Sequence, residues 1–333
     1  MRYFTDDPET AVEHALLGIL ASSGVALQRV GMHLGVVYPE NGNRKVKVVA
    51  GGGSGHEPLF LGITGPGLAD GAVAGQVFAA PAPDAVYAVI EAVQAQEGVV
   101  LVYGNYSGDV LNFGVAADDA KSSGLQVAEI RVHDDIASSE TSQMEDRRGI
   151  AGDIFVIKAI SAAADRGLSF QDVVRIGEKI NFHTRSLGVA SRAATAIDTG
   201  RPMFELAEGE IEIGMGLHGE MGVRRSAYRP AEALVPEMME MLAADFEKTG
   251  VPLTRAAVMI NGLGSTTVLE LLAISGYVRK FLDAHSVGVA YQAAGQFATS
   301  LDMAGFSITV SQLDDELEGL LAAPCRSFCF TKP

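Results

Sequence analysis

The sequence predicts an α/β protein of two domains, the first with a mostly parallel sheet flanked by helices. Three observations carry this expectation. Through the first half of the chain, short apolar runs alternate with helical patterns, the order of strands joined by helical crossovers. Glycine-rich loops follow two of those runs, at 51–58 and 104–109, where a parallel sheet presents its ligand loops. The length of 333 residues allows two domains at roughly 100–200 residues each.

The elements follow in order. Residues 9–22 (ETAVEHALLGILAS) have helical spacing. KVKVVA at 45–50 reads as a strand, stopped by GGGSGHEP at 51–58. AVAGQVF at 72–78 is a second strand, and the helix after it, 83–95, has Pro83 at its start, where the missing N–H is tolerated. GVVLVY at 98–103 is a third strand, followed by GNYSGD and a helix to about Gly124; LQVAEIRV at 125–132 is a fourth. Helices then run from about Ile150 to Arg166 and from Phe170 to Arg192. A turn-rich stretch at 198–209 leads into EIEIGMGLHGEMG at 210–222. A helix over 231–248, a strand over 255–262 and a helix over 267–284 come next. Strands at 287–292 and 307–313 and a last helical piece complete the chain. The division falls near 185–200, giving an N-terminal domain over 1–190 and a C-terminal domain over 191–333.

Composition excludes several classes. At 48% hydrophobic and 20% charged, the chain has ample material for packed cores and does not read as disordered. No run reaches the ~18–20 apolar residues of a membrane helix, and the polar, acidic start MRYFTDDPETAVEH is unlike a secretory signal. A cytoplasmic protein with no membrane partner is expected. Twenty-five basic against 41 acidic side chains give a net charge of −16, which repels a phosphate backbone and argues against nucleic acid. Cys325 and Cys329 are the two cysteines, too few for a disulfide scaffold and without the neighbours of a zinc site. No cluster has metal-ligand spacing, so no metal is expected on this chain.

The chemistry points to three loops. In GGGSGHEP, Gly53, Ser54 and Gly55 suit backbone that turns sharply or lies against a ligand, with His56 at the end. A Walker loop needs Gly-Lys-Ser/Thr, which this chain lacks, and the dinucleotide pattern G-x-G-x-x-G fails at its third glycine. The frame Gly52-Gly53-Ser54-Gly55 fails a hydrolase elbow at its fifth position. A small polar ligand fits; a tight turn with a solvated His is the plainer alternative. Asp109, in GNYSGD, follows a strand in the same way and could accept a proton from a substrate hydroxyl, or simply cap a helix. His218 stands among Gly214, Gly216, Gly219 and Gly222. It could be a metal ligand, a base or a nucleophile, or a turn residue bonded to backbone. His14, His183 and His285 sit in helical patterns, and His133 ends a strand.

GGGSGHEP at 51–58, NYSGDVLNF at 105–113, RRGIAGDIFVIKAISAAADRGL at 147–168 and GLHGEMG at 216–222 together resemble the dihydroxyacetone kinase family, at its ketose-binding K subunit. NGLGSTT at 261–267, TSLDMAGFSIT at 299–309 and LDDEL at 313–317 resemble it too, so the likeness runs from about residue 10 to the end. It implies a two-domain α/β homodimer that captures a short ketose such as dihydroxyacetone. The His at position 218 would form a covalent hemiaminal through Nε2. His56 and Asp109 would contact the substrate hydroxyls and help deprotonate one, beside the Gly53–Ser54–Gly55 backbone. It also implies a separate L subunit holding ADP or ATP with magnesium, with none of these bound by this chain, and in some systems a phosphotransferase relay protein. One position departs from the family, which usually has Lys where Gly104 stands. That change suggests an altered substrate choice, such as the four-carbon ketose erythrulose. A non-catalytic ketose sensor is the other reading.

Overall fold

The computed structural model describes residues 3–5, 7–40 and 46–332; Lys45, the first residue of the expected 45–50 strand, lies outside them. The chain forms two compact units. One, the glycine-loop unit, contains residues 3–132, 153–181 and the chain from 319 on; the other, the His218 unit, contains 133–152 and 182–318. The expected division after 190 differs from this partition. The strand over 184–192 and the segment 133–152 lie in the His218 unit, and the last residues return to the glycine-loop unit.

The glycine-loop unit contains α1 (Ala11–Ser22), β1 (Gln28–Arg29), β2 (Gly35–Val37), β3 (Lys47–Ser54), β4 (Gly71–Val77) and α2 (Pro83–Ala92). Then come β5 (Val99–Gly104), α3 (Ser107–Ser122), β6 (Val127–Val132), α4 (Asp153–Asp165) and α5 (Phe170–Phe182). The strand order is β1-β2-β4-β3-β5-β6. β4, β3, β5 and β6 are parallel and β1 and β2 antiparallel, so the sheet is mostly parallel as expected. Every residue of β3 and β5 is buried, which is why these strands read as continuous runs such as VVLVY. Val86, Val89 and Ile90 of α2 pack with Phe113, Ala116 and Ala120 of α3 over Val49, Val73 and Leu101. All of α4 except Asp165 is buried, so its sequence shows no polar face.

The glycine triplet was expected to end a strand, and instead continues it: β3 runs to Ser54. The cause is packing. A Cβ on Gly51 would stand 2.6 Å from the Val73 carbonyl oxygen and 2.8 Å from the Phe113 ring. On Gly52 it would stand 2.2 Å from Phe60, and on Gly53 3.0 Å from the Ala79 nitrogen. The strand is stripped of side chains because its neighbours occupy their space.

The His218 unit holds β7 (Thr184–Arg192), β8 (Glu210–Ile213), β9 (Arg224–Ala227), α6 (Ala231–Lys248), β10 (Arg255–Gly262), α7 (Val268–Ala284), β11 (Gly288–Gly295) and β12 (Ala304–Gln312). The sheet order is β11-β10-β12-β7-β8-β9. β10 and β11 run parallel and the other neighbours antiparallel. The helix expected to reach Arg192 ends at Phe182, and 184–192 is a central strand. Residues 184–190 are all buried, so the polar–apolar alternation that marks a one-sided strand is missing. Hydroxyls occupy one face instead: Thr184 bonds Ser311 at 2.6 Å and Ser186 bonds Thr309 at 2.7 Å between β7 and β12. On the other face Leu187, Val189, Val258, Ile260, Ile308 and Val310 pack with Met238, Leu242 and Phe246 of α6 and Leu271, Val278 and Leu282 of α7.

A buried ion cluster joins strand, helix and loop in this unit. Asp245 of α6 accepts from Arg147 at 2.6 and 2.9 Å, from Arg185 at 2.5 Å and from the Thr141 hydroxyl at 2.6 Å. Burial raises the Asp245 carboxyl, and the bonds and charge of Arg147, Thr141 and Arg185 outweigh it, bringing it down to about 2. Among the described residues no helix is long and apolar enough to cross a membrane.

Candidate functional site

The strand order sets where the candidate residues of the glycine-loop unit stand. From β3 the chain crosses to β4 on one side and then to β5 on the other. The sheet therefore reverses direction at β3, and loops after β3 and β5 open outside the carboxyl ends of adjacent strands, where open α/β sheets bind ligands. After β3 come Gly55 and His56. Ser54 donates its hydroxyl to the Gly75 carbonyl at 2.7 Å, and Gly55 N–H donates to the Glu57 carboxylate at 2.9 Å. Gly55 has φ +95° and a Cβ there would meet the Phe78 ring at 2.7 Å, so only glycine fits. That ring lies 5.1 Å from the His56 imidazole at 33°, and His56 is 3% exposed. A solvated turn His is thereby excluded.

After β5, Gly104 is the buried last strand residue, in register with Val132 of β6. Asp109 is the third residue of α3, one turn behind the capping position Tyr106. It is 7% exposed and stands where the helix dipole favours negative charge. Preceding Gly104, Tyr103 stacks on Phe113 at 4.4 Å and donates its hydroxyl to Glu129 at 2.5 Å. Burial first, then the Glu129 carboxylate, push that phenol far above its ordinary value. The sheet thus gathers Gly53, Ser54, Gly55, His56, Gly104 and Asp109 at one end of adjacent strands.

His218 belongs to the other unit, in the loop between β8 and β9. Gly214 (φ +87°) and Gly219 (φ +79°) bend the chain. The bend lets Glu220 fold back under His218. One carboxylate oxygen accepts the His218 backbone N–H at 2.9 Å, and the other lies 3.1 Å from Nδ1. Nδ1 of the imidazole thus faces a carboxylate. Arg148 stands 3.8 Å from Glu220 and grips Asp135 at 2.7 Å. Burial raises Glu220; the hydrogen bond and charge of His218, then Arg148, overcome it and hold the carboxyl at about 2. Burial raises Asp135 to about 6 even with Arg148 pulling it down. Among the described residues no group of three or more His, Cys, Asp or Glu could hold a metal ion.

Residues 18–329 match the Dak1 domain. The chain belongs to the Dak1 family. Among its relatives is the "PTS-dependent dihydroxyacetone kinase 2, dihydroxyacetone-binding subunit DhaK" of Listeria innocua, 40% identical over 98% of both chains. A D-erythrulose kinase of Mycolicibacterium smegmatis is 41% identical over 98% of this chain and 56% of its own length. Two solved structures share the fold closely. One is a dihydroxyacetone kinase operon co-activator, at TM-score 0.90 and 29% identity, covering 96% of this chain and 98% of its own. The other is the dihydroxyacetone kinase from C. freundii in complex with AMP-PNP and Mg2+, at TM-score 0.88 and 32% identity, of which this Dak1 chain spans 61%.

Two residues packed around His218, Glu220 and Arg148, carried no expectation from the sequence. Glu220 was in view inside GLHGEMG, and its two-residue spacing from His218 across a glycine was the available signal. Arg148 lies 70 positions from His218, and nothing local connects them.

Proposed function

We propose that this chain is the ketose-binding subunit of a dihydroxyacetone-type kinase, a phosphotransferase with an alcohol acceptor. The observation that carries this is the end-to-end match to a dihydroxyacetone-binding subunit, 40% identical over 98% of both chains. The ketose carbonyl is attacked by His218 Nε2. The carbon–oxygen π pair moves to oxygen, which takes a proton, and the imidazole gives up its Nδ1 proton, so N–H adds across C=O with no loss of water. Only an aldehyde or ketone forms this hemiaminal, so glycerol is rejected. Capture also fixes the terminal hydroxyl for transfer. His56 and Asp109 contact the hydroxyls, and Asp109 takes the proton of the one that is phosphorylated. The Gly53–Ser54–Gly55 backbone and Gly104 line the same substrate.

The donor half lies outside this chain. A separate L-type subunit supplies ATP or ADP with magnesium, and the longer C. freundii kinase, solved with AMP-PNP and Mg2+, supports that division of labour. A homodimer in the cytoplasm, fed by ATP or by a phosphotransferase relay, completes the proposal. The alternative substrate is erythrulose, favoured by the D-erythrulose kinase relative and by Gly104, which leaves room where the family usually has Lys. A ketose sensor is favoured by the operon co-activator's likeness; Asp109 beside the glycine loop argues for the enzyme, since a sensor needs no base.

The test is carbon NMR on dihydroxyacetone labelled at its carbonyl carbon. The reading expects a protein-bound tetrahedral carbon with the native chain and none with His218→Ala. An unchanged carbonyl signal with native protein, for dihydroxyacetone and both erythrulose enantiomers, would overturn it.

A further inference from the structure

We propose that Glu220 is a positioning residue that fixes the His218 imidazole as its Nδ1–H tautomer and so leaves the Nε2 lone pair as the nucleophile. This rests on the hemiaminal reading above. The grip has two points: Glu220 holds the His218 backbone N–H at 2.9 Å and Nδ1 at 3.1 Å. A rotating ring would break the second bond, so the carboxylate sets the ring plane as well as the proton. An ionised carboxylate only accepts. Glu220, held at about 2 against its burial by His218 and Arg148, is ionised throughout the neutral range. Nδ1 is therefore the donor, and in the neutral ring the free pair lies on Nε2.

The surroundings are arranged to keep the carboxylate there. A Cβ on Gly216 would stand 2.3 Å from the Glu220 carboxylate and 3.0 Å from Arg148 Nη1, so the absent side chain makes the space both groups use. Arg148 is itself anchored, with Nε and Nη2 donating to Asp135 at 3.1 and 2.7 Å and Nη2 reaching the Gly214 carbonyl at 3.4 Å. Glu220 has a second task once bonding begins. Attack by Nε2 makes the ring an imidazolium until its Nδ1 proton leaves to solvent, and the facing carboxylate stabilises that charge. This is the role a carboxylate plays toward the His of a hydrolase triad. The His218 side chain is 23% exposed, so the grip on Nδ1 leaves part of the ring accessible.

Two measurements test this. Nitrogen NMR on ketose-free native protein with labelled His is expected to show His218 protonated at Nδ1 and bare at Nε2 when neutral. Glu220→Gln keeps the size of the side chain and removes its charge. It is expected to mix the tautomers and to slow tetrahedral adduct formation roughly 10–100-fold, the scale on which orienting partners of functional histidines act. An Nε2–H tautomer in the native protein overturns the proposal, as does an unchanged adduct rate in Glu220→Gln. Absence of adduct in the native protein overturns the hemiaminal reading instead, and the nitrogen spectrum still decides whether Glu220 sets the tautomer. That spectrum needs no variant, so misfolding of Glu220→Gln does not shield the proposal.

Discussion

A methyl group on Gly52 would stand 2.2 Å from the Phe60 ring, within a strand buried on both faces. Gly52→Ala is expected to destabilise the chain by ~1–3 kcal/mol through overpacking, read as a lower urea midpoint with an unchanged slope. An unshifted midpoint would mean that Phe60 yields freely. The same residues show what one sequence reveals. Three glycines in a row announced close approach, but not whether a ligand or a neighbouring ring was the cause; Val73, Phe60 and Ala79 answer that only once the chain is folded. His56, Asp109 and His218 stood out in the sequence because each sits beside or among glycines. The partner that orients His218 was legible only in part. Glu220 is two residues away and visible, whereas the Arg148 that steadies it comes from a distant segment.

At the scale of elements, α7 begins with a capping box: Thr267 accepts from the Glu270 N–H at 3.3 Å, while Glu270 accepts from the Thr267 N–H at 2.8 Å. Thr267→Ala is expected to cost about 1 kcal/mol in equilibrium unfolding, and Thr267→Ser to restore most of it. Equal loss in both variants would show that the methyl group matters and the cap does not. Elements were readable where their pattern is one-sided or where strands are long apolar runs, as in β5 and α2. β7 was not readable. Its hydroxyls face Ser311 and Thr309 across the sheet, and a strand buried on both faces, following a helix after a single residue, has no exposed polar face to mark it off from that helix. β8 and β9, four residues each, are too short to show any period.

For the whole molecule, the division into two units hides from a linear reading because the chain leaves and re-enters each one. The His218 unit is tied across its sequence by Asp245, which faces the guanidinium groups of Arg147 and Arg185, 1% and 0% exposed. Asp245→Asn strips the counter-charge from two buried cations and is expected to cost about 3–5 kcal/mol near neutral pH. The sign of its pH dependence follows from a carboxyl held at about 2 when folded against 3.8 when not. The native advantage is complete above the unfolded value and lost as pH falls through the folded one, so the gap between native and variant closes from about pH 4 to pH 2. Denaturation midpoints in that window check it, and a constant gap would assign the loss to packing.

The central claim is that this chain supplies the acceptor half of a ketose kinase. Purified chain, an L-type nucleotide-binding subunit and magnesium-ATP, mixed with dihydroxyacetone or either erythrulose enantiomer, test it most directly. The expected result is a ketose phosphate that requires both proteins, is lost in His218→Ala, and names the natural substrate by its rate. Product formed equally well by His218→Ala, or no product from any ketose with the partner's nucleotide site filled, would contradict it.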